Sequence, residues 1–428
     1  MKVHIENIGC FKNLVDSERL LFAIEQMGIE VSFGRLLDFA DIAIINTCGF
    51  IQDAEIDSSV LIRQYAVLKT QGIISQLWVM GCYGQKIGER LKKDVPEVDL
   101  IFGNFDWDNI LIRLGHARSN DIDIRRHITT SSHYTYLKIS EGCNRPCSYC
   151  IKPILNGPLK SIPMERLVEE VKWLVEQGVC EFQLVAQNLT DYGVDLYGER
   201  KITELVERIS DIPGVEWIRL HYAYPIGFPS SLLDVMRERS NVCKYLDMAV
   251  QHCNPEMLKR MHRTMSKEEL VSLLSEIRDR VPGIYLRTTL MVGFPGETDE
   301  MFDELCTFVK EQDFERMGVF RYSAQTESYS YKNYIDTVPE SIKTSRALTL
   351  MNIQKEKYHS LNTSLVGTVQ KVIVDCLSNG KYYCRTEHST PMADPKIIVD
   401  SKRPLKIGSF LMARITESIG KDMRGIIL

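Results

Sequence analysis

At 428 residues, 44% hydrophobic and 25% charged, the chain is long enough for two or three domains and has the composition of a globular protein. A formal net charge of −5 and a pI near 6.1 argue against purely electrostatic binding of nucleic acid, which favours a basic surface. The opening MKVHIENIGC lacks the basic start and apolar run of a signal peptide, and no stretch reaches the roughly 18 apolar residues of a membrane span, so a soluble cytoplasmic protein with no membrane partner is expected.

The first segment alternates strands and helices. Lys2 to Ile8 reads as a strand ending at Gly9-Cys10. Ser17 is a candidate cap for a helix with Leu20, Leu21, Ile24 and Met27 on one face and Gly28 at its end. Asp41 to Asn46 is a second strand, ending at Thr47-Cys48, and a helix comes next from about Ser58 to Lys69. Leu77 to Met80 is a third strand, ending at Gly81-Cys82. Buried strands in βαβαβ order imply a parallel sheet. Ligands gather beyond the carboxyl ends of such strands. Cys10, Cys48 and Cys82 are therefore expected at one edge as a set, although buried cysteines are common enough for chance to put three there.

A polar, charged linker spans Gly115 to Ser132. Tyr134 to Ile139 is then a strand leading directly into EGCNRPCSYC, which carries Cys143, Cys147 and Cys150. Pro163 opens a helix with Leu167, Val171 and Leu174 on one face and Gly178 at its end. Glu181 to Ala186 is the next strand, and strands recur at VEWIRLHYAY, KYLDMAVQH, IYLRTTLMVGF and ERMGVFRYS with helices between most of them. Serial β/α units of this kind predict a barrel or partial barrel, with functional residues at the carboxyl ends of its strands. After about residue 362 the pattern changes to short alternating strands, GTVQKVIVDC, YYCRTEHS, KIIVD and FLMARITES, separated by polar turns. These predict a small antiparallel barrel or sandwich. Its ten Lys/Arg against six Asp/Glu make it mildly basic, which suits either a solvated surface or a contact with ribosome or RNA.

Twelve cysteines in a chain with no sign of secretion point to metal binding or catalysis rather than to disulfides. Structural zinc takes four ligands, and no second pair comes after the Cys143–Cys150 cluster. A 4Fe–4S cluster held by three thiolates leaves one iron open, and that iron can chelate a small molecule through amino and carboxylate groups. A catalytic zinc with three protein ligands is the competing reading, although sets containing histidine are more usual there. Cys180, Cys243, Cys253, Cys306, Cys376 and Cys384 form no ligand-spaced set and read as small buried residues or exposed thiols; the adjacency of His252 and Cys253 does not by itself make a site, and His221 beside Tyr222 reads as packing.

Cys143-x3-Cys147-x2-Cys150, with Tyr149 before the last cysteine, resembles the radical S-adenosylmethionine signature. Together with the three N-terminal cysteines and the small C-terminal barrel, it makes nearly the whole chain resemble the methylthiotransferase family. The resemblance implies an α/β fold in three domains. These are an N-terminal parallel βαβ domain over 1–118, a radical-SAM partial (β/α) barrel over 130–361, and a small antiparallel β-barrel like a TRAM domain over 362–428. It also implies two 4Fe–4S clusters, one on Cys143, Cys147 and Cys150 that binds S-adenosylmethionine, and one on Cys10, Cys48 and Cys82 that carries the inserted sulfur. No catalytic residue beyond the cluster ligands is implied.

By the same resemblance Tyr149 is expected near the adenine. Gln187 and Asn188 fall where relatives contact the methionine amino end. Gly293 and Gly296, in VGFPGET, resemble the segment near the adenosine, though an ordinary turn also needs glycines. Arg287 faces either a carboxylate of the cofactor or a surface acid. IGCFKNLVDSE, NTCGFIQDA, AQNLTDYGVDLYG, RLHYAYP and YLDMAVQH resemble the branch that methylthiolates the β-carbon of an aspartate in small-subunit ribosomal protein twelve. Asn156-Gly157 and Lys160-Ser161-Ile162-Pro163 depart from it, because two arginines usual in relatives are missing; YSAQTES departs as well. The partners implied are that protein, an electron donor, a sulfur source and, through the C-terminal barrel, ribosomal RNA. The branch that modifies tRNA adenosine is the alternative, and a non-enzymatic metal protein that binds RNA is a reading of a different class.

Overall fold

The computed structural model describes residues 1–36, 38–104, 106–116, 124–391 and 393–428. Two compact units divide the chain. The first holds Met1–Thr130, Tyr136–Arg145 and Ile151–Trp173; the second holds Ser131–Thr135, Pro146–Cys150 and Leu174–Leu428.

The first unit is built on strands β1 (Lys2–Asn7), β2 (Glu30–Phe33), β3 (Ala40–Thr47), β4 (Ile74–Gly81) and β5 (Val98–Ile101), in the order β2-β1-β3-β4-β5. Every pair is parallel, as continuous apolar runs such as DIAIIN require of strands covered on both faces. Helices Phe11–Gln26 and Gln52–Thr70 supply that cover. Leu20, Leu21 and Ile24 of the first pack on Val3, Ile5, Ile42 and Ile44, and Ile62, Tyr65 and Ala66 of the second on Ala43, Ile45, Leu77 and Val79. The short edge strands β2 and β5 have no expectation from the sequence, because each is four residues long and mostly half-exposed.

Two helix starts differ from expectation. Cys10 stands at the N-cap position of Phe11–Gln26, and Ser17 lies inside the helix, fully buried, because its hydroxyl accepts from Asn46 Nδ2 rather than from the helix's own backbone. The second helix begins at Gln52 and takes in Ser58, whose hydroxyl bonds the Cys48 backbone. Residues 117–123 of the predicted linker lie outside the described residues. The linker's later residues are not a solvated tether: the Arg126 guanidinium is buried against Glu18, Glu170 and the Tyr136 carbonyl, and Thr129 donates twice to Glu18. Strands β7 (Ser140–Glu141) and β8 (Lys160–Ser161), which come after β6 (Tyr134–Lys138), form a small hairpin-like pair in this unit.

In the second unit, β9 (Glu181–Val185), β10 (Trp217–Ala223), β11 (Val242–Gln251), β12 (Tyr285–Val292) and β13 (Arg316–Arg321) form a parallel sheet. Its order is β13-β12-β11-β10-β9, with β6, whose first two residues belong to this unit, at the edge. Helices Ile202–Ser210, Ser231–Glu238, Lys267–Arg280 and Asp299–Gln312 alternate with the strands, as a partial (β/α) barrel demands. A Ser266–Glu269 capping box and a Thr298 cap start two of them. A helix that the sequence pattern does not predict, Glu340–Leu365, leads into the last domain and runs across position 362.

Strands β14 (Val369–Ser378), β15 (Lys381–Arg385), β16 (Ile397–Val399), β17 (Phe410–Ile419) and β18 (Asp422–Ile427) close a barrel in the order β14-β15-β16-β18-β17. All its pairs are antiparallel except β16 with β18, which run parallel. The barrel meets the amino ends of the parallel strands: Trp217 packs edge-on against Phe410 at 4.8 Å, and Tyr285 stacks on His388 at 4.0 Å. Among the described residues no helix is long and apolar enough to cross a membrane.

Candidate metal centres

In the first unit the three cysteines leave three neighbouring strands at the same edge. Asn7 of β1 pairs with Asn46 of β3, and Thr47 of β3 with Gly81 of β4, so the register brings Cys10, Cys48 and Cys82 out together. The turns that do this are tightly fixed. Gly81 has φ +93°, and a Cβ on it would stand 2.5 Å from the Asn46 side chain and 2.5 Å from the Thr47 carbonyl. Asn46 donates to Ser17 Oγ and to the Asn13 carbonyl, both at 2.9 Å, and accepts from Asn13 Nδ2 at 3.0 Å. Cys10 Sγ lies 3.1 Å from Asn13 Oδ1. Thr47 Oγ1 donates to the Met80 carbonyl, which ties the end of β3 to that of β4.

The local charge favours the thiolate at Cys10. Burial alone would push the Cys10 thiol up, but the Lys12 and Lys152 ammonium groups, with backbone N–H donors, outweigh it and leave the thiol below its usual range. Cys82 is buried among Ile151, Leu155 and Phe50. Burial raises its thiol, Lys152 acts against that, and Cys10 and Cys48 push it up further, which marks the three sulfurs as electrostatic neighbours. Lys152 itself lies over the Phe50 ring at 4.5 Å. Sequence reasoning missed Lys152, Asn13, Asn46 and Ser58 as supports. Asn13 and Asn46 sit within the stretches that carried the family resemblance, which is the one signal pointing to them.

The second cysteine loop has parts in both units. In the first, Gly142 holds φ +71°, a Cβ there would collide with the Pro158 carbonyl, and Cys143 N–H bonds the Gly157 carbonyl at 3.2 Å. In the second, Cys150 N–H closes a turn on the Cys147 carbonyl at 3.0 Å. Ser148 fastens this turn to its surroundings through Met261 O at 3.1 Å, Arg260 O at 2.7 Å and Ser330 N at 2.7 Å. Tyr149 packs against Met257, Met261, Phe294 and Tyr322. Burial and the neighbouring Cys147 hold its hydroxyl well above the usual range, against the pull of Arg263. Two residues that sequence reasoning missed stand beside Cys147: Tyr224, with its hydroxyl 3.8 Å from the sulfur, and Arg263, with Nη1 at 3.9 Å.

Gln187 and Asn188 lie just past the carboxyl end of β9, and Gly293 and Gly296 past that of β12. The Asn188 side chain caps the turn Leu189–Asp191, accepting from Thr190 N at 3.2 Å and donating to Asp191 at 2.6 Å. Gly293 and Gly296 have φ +71° and +88°, and Lys343 and Arg260 occupy the space a Cβ would need, so packing alone explains both glycines. Gly293 N–H donates to the buried Glu297, which Arg346 also binds at 2.7 Å. Arg287 lies near the amino end of β12 with Nε 3.6 Å from Asp247, whose charge outweighs burial and holds the guanidinium firmly charged. Tyr222 and Gln251, at the carboxyl ends of β10 and β11, adopt φ +62° and +72°, and the sheet register shifts beside both. Such strained positions and bulges gather at functional edges. His252 and His221 are both held by hydrogen bonds. His252 Nδ1 accepts from two backbone N–H groups and Nε2 faces Glu297 at 3.2 Å, while His221 Nε2 faces Gln183 at 2.8 Å.

All twelve cysteines are free of disulfides. Among the described residues no three His, Cys, Asp or Glu side chains converge as ligands of one metal ion. A donor set made only of thiols, with positive charge beside it, fits an iron–sulfur cluster by its chemistry.

Three family models match the chain: the radical SAM superfamily over residues 137–309, the uncharacterized protein family UPF0004 over 2–103, and the TRAM domain over 366–428. A ribosomal protein uS12 methylthiotransferase RimO from Bacteroides thetaiotaomicron is 46% identical over 428 residues, covering 100% of this chain and 98% of its own. One of the same name from Porphyromonas gingivalis is 48% identical over 417 residues, covering 97% and 96%. Among solved structures, the radical S-adenosylmethionine methyltransferase TsrM from Kitasatospora setae, with cobalamin and a [4Fe-4S] cluster bound, shares the fold with TM-score 0.58 and 13% identity, over 95% of this chain and 80% of its own.

Proposed function

From its place in the family of uS12 methylthiotransferases, to which the chain belongs, we propose that it is a radical S-adenosylmethionine enzyme that replaces a hydrogen on the β-carbon of an aspartate in ribosomal protein uS12 with a methylthio group. The observation that carries this reading is the full-length likeness to proteins bearing that name, which spans all three matched segments. The branch acting on tRNA adenosine and the non-enzymatic reading find no comparable support.

The cofactors are S-adenosylmethionine and a 4Fe–4S cluster. The proposal adds a second cluster, assigning the first to Cys143, Cys147 and Cys150 and the second to Cys10, Cys48 and Cys82. When bound, these groups supply hydrogen-atom abstraction and a transferable sulfur. The chain's own part is to hold and shield them. Lys12 and Lys152 favour the thiolate of Cys10 at the first unit's edge. Tyr149 and its apolar neighbours keep water from the Cys147–Cys150 turn. Gln187, Asn188, Gly293 and Gly296 are assigned to the cofactor as carboxyl-end residues, and Arg287 as a charge held by Asp247.

The proposal keeps the domain division 1–118, 130–361 and 362–428, and a cytoplasmic site of action beside an electron donor and a sulfur source. Contact of the barrel with ribosomal RNA is supported by its TRAM match and by Lys371, Arg414 and Arg424 on its exposed face. The test is the intact mass of uS12 from cells with and without the gene: the enzyme adds about 46 Da, H exchanged for SCH3. A deletion that leaves uS12 unchanged and strips a methylthio group from tRNA adenosine moves the chain to the other branch.

A further inference from the structure

Arg263 stands just past the helix Pro255–Arg260 and is 3% exposed. Its guanidinium donates to the Ala249 carbonyl and, at 3.4 Å, to the Tyr149 hydroxyl, and it lies over the Tyr224 ring at 4.3 Å. Each of these partners is neutral. The remaining neighbour is Cys147 Sγ, 3.9 Å from Nη1.

Other deeply buried arginines of this chain face carboxylates: Arg126 meets Glu18 and Glu170, Arg219 and Arg385 meet Glu181, and Arg346 meets Glu297. Among the described residues no carboxylate pairs with Arg263. A buried cation without a counter-charge is strongly disfavoured. The group within reach that becomes anionic as a cluster ligand is Cys147, 3.9 Å away, together with the charge of the cluster it would hold. We propose that Arg263 is the built-in counter-charge of the cluster held through Cys147, a positioning residue that steadies this thiolate and raises the cluster's reduction potential. The inference rests on the cluster assignment above. Its physical basis is that a fixed positive charge beside a ligand sulfur favours the state carrying one more electron, and does so strongly where water is excluded.

The test uses the full chain with Cys10, Cys48 and Cys82 changed to alanine, so that a single cluster is read in a spectroscopically monitored redox titration. Arg263→Met should shift the midpoint to more negative potential, whereas Arg263→Lys, which keeps the charge, should stay close to the parent. In cluster-free protein Arg263→Met should melt no lower than the parent, because the uncompensated charge is gone. Equal midpoints in Arg263→Met and parent overturn the proposal. So does an unchanged midpoint with S-adenosylmethionine binding lost in equilibrium dialysis, which would make the cofactor carboxylate the partner. An Arg263→Met chain that cannot fold makes the guanidinium part of the scaffold and overturns it as well. Failure of the parent background to assemble any cluster overturns the cluster assignment itself, a result distinct from all of these.

Discussion

At Gly81 a single missing Cβ lets the end of β4 approach that of β3. With φ +93° and both Asn46 and Thr47 at 2.5 Å from where a Cβ would stand, Gly81→Ala must move backbone beside Cys82. The expected cost is about 1–3 kcal/mol, with reduced iron in the reconstituted protein, read by thermal melting and iron analysis. A second residue-scale expectation concerns acid. His4 is buried with Nδ1 3.0 Å from Ser32 Oγ and Nε2 3.1 Å from Tyr65 Oη, and burial lowers its pKa to about 4 from 6.5. The folded state therefore binds fewer protons between these values than the unfolded state does. Stability from this site is complete above pH 6.5 and falls as pH drops towards 4, and His4→Gln should flatten that slope in urea melts. The cysteines proposed as ligands stood out in the sequence, as three thiols in one short loop and one after each of three strands. Their supports were not, since Asn13, Asn46 and Lys152 act through contacts distant in sequence, and a buried arginine such as Arg263 looks like any other charge until its neighbours are known.

At the scale of elements, the sheet edge does the organising. Three adjacent parallel strands deliver Cys10, Cys48 and Cys82, whereas Cys143, Cys147 and Cys150 share one loop after β6. The two sets should thus behave independently. Alanine at Cys143, Cys147 and Cys150 should leave about half the iron of the reconstituted chain, and a folded variant that loses all of it rules out two sites. Alanine at Cys10, Cys48 and Cys82 should still permit cleavage of S-adenosylmethionine to 5′-deoxyadenosine but abolish methylthiolation, as monitored by chromatography and peptide mass. Sulfur insertion in that variant would take these cysteines out of the reaction. Central strands were legible as apolar runs such as DIAIIN and LWVM. The edge strands EVSF and VDLI were not, because half-exposed four-residue strands carry no periodicity, and DMRGII joins the barrel through pairings that only closure supplies.

Across the second unit, charge buried between the barrel and the amino ends of the parallel strands joins two segments that composition separates. Arg385 of β15 reaches Glu181 of β9 at 2.6 Å and Asp375 of β14 at 2.6 Å; Arg219 of β10 shares Glu181 and binds the Glu387 carbonyl; His133 faces Asp375 at 3.0 Å. The change in pattern near residue 362 was visible in sequence, but this network was not, since Glu181 and Arg385 are far apart in the chain and each resembles a surface charge. Two guanidiniums are balanced here by two carboxylates. Burial would raise both carboxyls, but Arg385 and Arg219 hold Glu181 below the usual range, and His133 and Arg385 do the same for Asp375. Depressed folded-state values mean that this stabilisation is present above the ordinary carboxylate range and is lost as pH falls through the lower folded values. Glu181→Gln leaves one guanidinium uncompensated in a dry interface, an imbalance that costs about 3–5 kcal/mol. Because the barrel has its own closed core around Val372, Val374, Ile397, Val399 and Ile415, the expected outcome is detachment before global unfolding. Urea unfolding should change from one transition to two, and limited proteolysis should cut near Leu365. A single transition at the parent's midpoint would mean that apolar contacts such as Trp217 with Phe410 suffice to hold the barrel, and that the buried charges only fix its orientation.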